Sequence, residues 1–182
     1  MVARWRDACR HCGCGGGAPQ PVGAVAPRVP AAGGRRAVGA GPVRCPSVLS
    51  ITDDVWHEVV GHAYGGLPDE ACGLLGGDPA SGRASVFYPC RNAAASSRVY
   101  TVDPGDHLRA DRDAEAQGLE IIGVVHSHTH TEAYPSPTDV TQAPDPGWHY
   151  VIVSLKRDEA VLRSYRIVDG EIAEEGVGLD EG

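Results

Sequence analysis

The stretch His126-Ser127-His128-Thr129-His130 places three imidazoles within five residues, and Ser136-Pro137-Thr138-Asp139 follows shortly after. Side chains at i and i+2 of an extended strand point the same way, so His126 and His128 can converge on one point while Ser127 faces the opposite side. A third ligand must then come from elsewhere. Asp139 can supply it if the proline-rich segment 132–137 folds the chain back. Two His and one carboxylate leave a fourth tetrahedral position open, which is the arrangement of a catalytic zinc rather than a closed structural one. Taken singly, each half is ordinary. Ser136-x-x-Asp139 reads as a capping box with Pro137 in the first helical position, and an isolated His-x-His is more often a surface feature than a ligand pair. Together, directly after the apolar run 119–125, they are far more specific.

The surrounding segments read as elements able to position these residues. Thr52 can cap a helix with Asp53 and Asp54 in its first turn and Val55, Trp56, Val59, Val60 and Ala63 on one stripe, ending at Gly65 and Gly66. The short apolar run 70–77 opens on Glu70, and 84–90 and 97–103 carry the β-branched and aromatic residues of strands. Asp103 and Pro104 start a second helix that runs to about Gln117. The segment 119–128 reads as a buried central strand, 149–155 as another, and 160–175 as two strands joined by the Asp169-Gly170 turn. Helix, three short strands, helix, strand, loop and three strands suit an α/β fold, a mixed sheet covered by helices. Ligands of such sheets gather at the carboxyl ends of strands, where His126 and His128 fall.

Charge divides the chain. Before Val48 there are 7 Arg against 1 Asp, in Gly-, Ala- and Pro-rich sequence without apolar periodicity; after it, 9 Lys+Arg stand against 23 Asp+Glu. Residues 1–47 are therefore expected to be a disordered leader, or to precede the true start, since Met1 is the only methionine. Cys9, Cys12 and Cys14 with His11 could form half a zinc ribbon, although a flexible leader is the simpler reading. The acidic domain excludes nucleic acid as a partner, and no apolar stretch approaches the ~20 residues that span a bilayer, so the protein is expected in the cytoplasm. Cys72 and Cys90 alone in the acidic part suggest no disulfide framework.

The spacing His-x-His-x7-Ser-x2-Asp after a buried strand resembles the signature of the JAMM metalloproteases, the metal-binding branch of the MPN (Mov34) domain family, and 68–77 (PDEACGLLGG) resembles the family's glutamate-bearing strand. The resemblance covers Val48 to the C-terminus. Through 68–77, 126–140, 146–155 and 162–172 it is closest to the CysO-cysteine peptidase branch. It implies a curved mixed sheet flanked by helices in a cytidine-deaminase-like three-layer arrangement. It further implies Zn2+ on His126, His128 and Asp139, with Glu70 holding and deprotonating the attacking water and Ser136 stabilising the oxyanion. The implied activity is release of cysteine from the C-terminal glycine of a small ubiquitin-like sulfur carrier ending in Gly-Gly, in cysteine biosynthesis. A deubiquitinase-like peptidase and a non-catalytic MPN scaffold remain alternatives, as does a homodimer. His130 departs from the pattern, standing where a small residue is expected. Two other classes do not fit: PHP phosphoesterases need a larger barrel with more ligands, and a deaminase site needs a Pro-Cys-x-x-Cys that Pro89-Cys90 does not begin.

Overall fold

A computed structural model describes residues 48–180. Residues 1–47, on which the leader and zinc-ribbon readings with Cys9, Cys12 and Cys14 fall, lie outside them. The described residues form β1 (Val48–Thr52), α1 (Asp53–Gly65), β2 (Cys72–Asp78), β3 (Arg83–Cys90), α2 (Pro104–Ala116), β4 (Glu120–His128), α3 (Pro137–Gln142), β5 (His149–Ser154), β6 (Val161–Val168) and β7 (Glu171–Asp180). No helix among them is long and apolar enough to cross a membrane.

The strands close into a ring in the order β1-β3-β2-β4-β5-β6-β7. The sheet is mixed: β1 runs parallel to both β3 and β7, β4 runs parallel to β5, and the other neighbours are antiparallel. Strand alternation sorts the core into two clusters on opposite faces. Leu75, Phe87, Val125, Val151 and Val153 pack with Val55, Val59 and Ala63 of α1, while Cys72, Leu74, Val124, Tyr150, Ile152 and Tyr165 pack with Ala110 of α2. Helix, sheet and helix thus make the expected layers.

The caps lie where the sequence places them. Thr52 Oγ1 accepts the Val55 N–H at 3.3 Å, and Asp103 accepts from Gly105 and Asp106. Asp169 and Gly170 both have positive φ, 51° and 84°, which is the twist a two-residue hairpin turn requires. In β4, Gly123 is forced by close approach, because a Cβ there would stand 2.5 Å from the His149 carbonyl oxygen.

The sequence reading needs one correction and one addition. Segment 97–103 is not a strand; its only pairing is the isolated bridge Asn92–Val102. Its β-type composition is overridden by the Asn92 side chain, which gathers the segment into a loop by donating to the Ser96 and Val99 carbonyls and accepting from Ala94 and Thr101. In addition, Val48–Thr52, to which the sequence reading assigned no element beyond Thr52 as a cap, is a strand. It joins β3 to β7 and closes the ring.

Candidate metal centre

His126 and His128 end β4 on the α2 side of the sheet. His126 lies opposite Cys72 of β2 and Ile152 of β5, and His128 lies opposite Ser154. Ser127 points the other way, and its Oγ accepts the Ala71 N–H at 2.9 Å while its own N–H donates to the Ala71 carbonyl at 2.9 Å. This pair of bonds fixes the start of β2 against the end of β4, and so holds Glu70, the residue before Ala71, beside the histidines.

The two Nε2 atoms face each other at 3.1 Å. Asp139 completes the group, its Oδ1 3.5 Å from His126 Nε2 and its Oδ2 3.5 Å from His128 Nε2. All three side chains are buried, at 2%, 5% and 9% exposure. Among the described residues, these three are the group of ligand-type side chains that could hold a metal ion, with ligand atoms within 4.8 Å of one another. Buried nitrogens and carboxylate oxygens aimed at one point are costly unless something shared satisfies them, so the donor set fits a zinc ion. His130 is exposed and stands outside the group.

Asp139 arrives by the capping box itself. Ser136 Oγ accepts the Asp139 N–H at 3.2 Å, and the Ser136 N–H donates to Asp139 Oδ2 at 2.6 Å. Capping and placement of the carboxylate are therefore one device, since the bonds that start α3 also orient it. His128 is held from behind: its Nδ1 lies 2.9 Å from the Glu132 carbonyl and 2.9 Å from Thr131 Oγ1. Donation of the Nδ1 proton to that carbonyl leaves the Nε2 lone pair for a metal.

Electrostatics follow from burial. Desolvation lowers the His126 pKa and keeps its ring neutral. Burial also disfavours the charged form of His128, but Asp139 and the Glu132 carbonyl outweigh it and raise that pKa. For Asp139, burial opposes ionisation, yet the two imidazoles hold its carboxyl well below the usual range. Glu70, 6% exposed, is pushed by burial to about 7, against the pull of His128 and with a further rise from Asp139. A buried carboxyl with a pKa near neutrality can both accept and return a proton.

The family model described as prokaryotic homologs of the JAB domain matches residues 52–168. The chain belongs to that family. This JAB domain is 45% identical over 137 residues to a CysO-cysteine peptidase of Mycobacterium tuberculosis, covering 74% of this chain and 92% of that one. A desampylase of Haloferax volcanii is 34% identical over 59% of this chain and 81% of its own. A solution structure of a Desulfitobacterium hafniense protein superposes with a TM-score of 0.68 at 35% identity, covering 74% of this chain and 94% of that one.

Sequence reasoning missed two parts of this JAB domain's candidate site. Tyr100 stacks on His126, with ring centroids 4.3 Å apart and planes at 18°. Asn92 donates to the Glu70 carbonyl at 2.9 Å while Ser96 accepts the Glu70 N–H at 2.9 Å, which ties the carboxylate's backbone to the 91–102 loop. The signal was a lone aromatic in a segment read as a strand, and strand composition concealed the loop.

Proposed function

We propose that this JAB domain is a zinc-dependent peptidase that cleaves the amide between the C-terminal glycine of a small ubiquitin-like sulfur carrier and cysteine, releasing cysteine for biosynthesis. The convergence of His126, His128 and Asp139, with a buried Glu70 coupled to them, carries the hydrolase reading. The identity to a CysO-cysteine peptidase supports the substrate. A scaffold domain would have no use for a complete, buried donor set.

His126 and His128 would hold zinc through Nε2 and Asp139 through its carboxylate. When bound there, zinc supplies Lewis acidity that polarises the scissile carbonyl and acidifies water. Glu70 takes the proton of the attacking water and returns it to the leaving amine, a pair of transfers that suits a carboxyl poised near pH 7. The Ser136 hydroxyl accepts from the Asp139 N–H and keeps its own proton to donate to the oxyanion. A tail of glycines suits a recessed centre, because residues without side chains allow the closest backbone approach.

The desampylase relative favours a second reading, a peptidase acting on proteins joined to ubiquitin-like modifiers. Mass spectrometry of a carrier-Gly-Gly-cysteine adduct separates the two. Release of free cysteine that stops on chelation and returns with zinc is the expected result. An intact adduct beside cleaved lysine-linked conjugates would move the protein to the second reading.

A further inference from the structure

The two imidazoles at the centre are oriented by different means. His128 has a hydrogen-bonding partner behind it, in the Glu132 carbonyl and Thr131 hydroxyl. His126 has none: its Nδ1 is buried without a partner. A metal-binding histidine usually takes its ring orientation from a bond at the far nitrogen, and rotation about the ring-bearing torsion is otherwise soft. What lies against His126 instead is the Tyr100 ring, stacked at 4.3 Å.

We propose that Tyr100 is a positioning residue for the metal centre: its ring, laid flat on His126, sets the imidazole plane and thereby the tightness with which the ion is held. The inference rests on the zinc reading above. Tyr100 is itself fixed from both sides by a single side chain. Asn92 donates to the Val99 carbonyl at 3.1 Å and accepts the Thr101 N–H at 3.0 Å, so the chain neighbours before and after Tyr100 share one anchor. The same amide reaches the Glu70 carbonyl at 2.9 Å. One asparagine therefore sets both the aromatic plate over a ligand and the backbone of the acid. A further tie, from Thr129 Oγ1 to the Ser97 carbonyl at 3.2 Å, fastens this loop to the end of β4.

The test is the zinc dissociation constant of the full chain, measured by competition with a chromophoric chelator, for the parent, Tyr100→Phe, Tyr100→Leu and Asn92→Asp. Thermal midpoints of the metal-free forms and visible spectra of the Co2+ forms accompany it. Tyr100→Phe keeps the ring and should stay within about twofold of the parent, while Tyr100→Leu should bind ~10–100-fold more weakly. The leucine variant should also shift the Co2+ bands, a change that loss of packing elsewhere would not produce. Parental affinity and spectrum in Tyr100→Leu would overturn the inference, and so would equal losses in the phenylalanine and leucine variants. Should Tyr100→Leu fail to fold, Asn92→Asp, which leaves the apolar contacts in place, must show the weakening, and parental affinity there would overturn it. A parent that holds no zinc at the histidines defeats the zinc reading itself, a result distinct from any of these.

Discussion

Two places among the described residues bury histidine beside carboxylate, and they are built oppositely. At the end of β4 the nitrogens of His126 and His128 face each other at 3.1 Å and Asp139 stands off at 3.5 Å, a group whose members point at a common centre. At the start of β5, His149 Nδ1 meets Glu175 Oε1 at 2.7 Å and the Ser164 hydroxyl donates to the same oxygen at 2.7 Å. That second cluster is an ordinary close hydrogen-bonded pair that stitches β5, β6 and β7, with Glu175 Oε2 alone left without a partner. Residue type and burial are shared. What separates a candidate ligand set from a structural pair is whether the polar atoms pair off with one another or converge on one centre.

The comparison breaks most sharply on substitution of the acids. Asp139→Asn should remove zinc and bring turnover down to background, while Glu70→Gln should keep zinc and lose ~10²–10⁴-fold in turnover because the amide cannot carry the proton. Metal analysis alongside steady-state rates checks both; near-parental turnover in Glu70→Gln would remove its assigned role. His149→Leu should do the reverse. Leaving the buried Glu175 with the Ser164 hydroxyl alone should lower stability by about 1–3 kcal/mol in denaturant unfolding, with the zinc affinity of the folded fraction unchanged. Loss of zinc affinity there would mean that the two clusters are coupled.

Smaller effects sharpen the picture. Ser136→Ala should lose about 1 kcal/mol of stability as a helix cap, and ~10²-fold in turnover if its hydroxyl reaches the oxyanion. A stability loss with unchanged turnover would restrict Ser136 to placing Asp139. The Glu70 pKa of about 7 has a consequence for the metal-free protein. A carboxyl whose folded pKa lies above its unfolded value favours the folded state only while protonated, so its contribution is lost as pH rises from about 4.5 to about 7. Glu70→Gln should therefore raise the metal-free stability at pH 8 by about 1–2 kcal/mol, after allowance for solvent screening, and the gain should vanish below pH 4.5. Unfolding curves at the two pH values decide it.

The convergence of the candidate ligands was legible because their placement is local. Alternation along one strand pairs His126 with His128, and a four-residue capping box delivers Asp139. The Asp169-Gly170 hairpin and the caps of α1 and α2 are local in the same sense. What stayed hidden depends on partners distant in sequence. β1 is a strand because β7, at the other end of the domain, runs beside it, and five residues of mixed character cannot announce that pairing. Tyr100 reaches His126 only because Asn92 bends a strand-like segment into a loop, a decision made by one amide against local propensity. The His149–Glu175 pair joins residues 26 apart across two strands, and neither residue stands out in the sequence.

X-ray absorption at the zinc edge on the full chain, with metal content measured on the same sample, tests the central claim most directly. His126, His128 and Asp139 predict one zinc per chain with a nitrogen and oxygen shell at about 2.0–2.1 Å and an imidazole signature, abolished by Asp139→Asn. A sulfur shell near about 2.3 Å, the mark of Cys9, Cys12 and Cys14, or an imidazole shell that survives Asp139→Asn unchanged, would contradict the account.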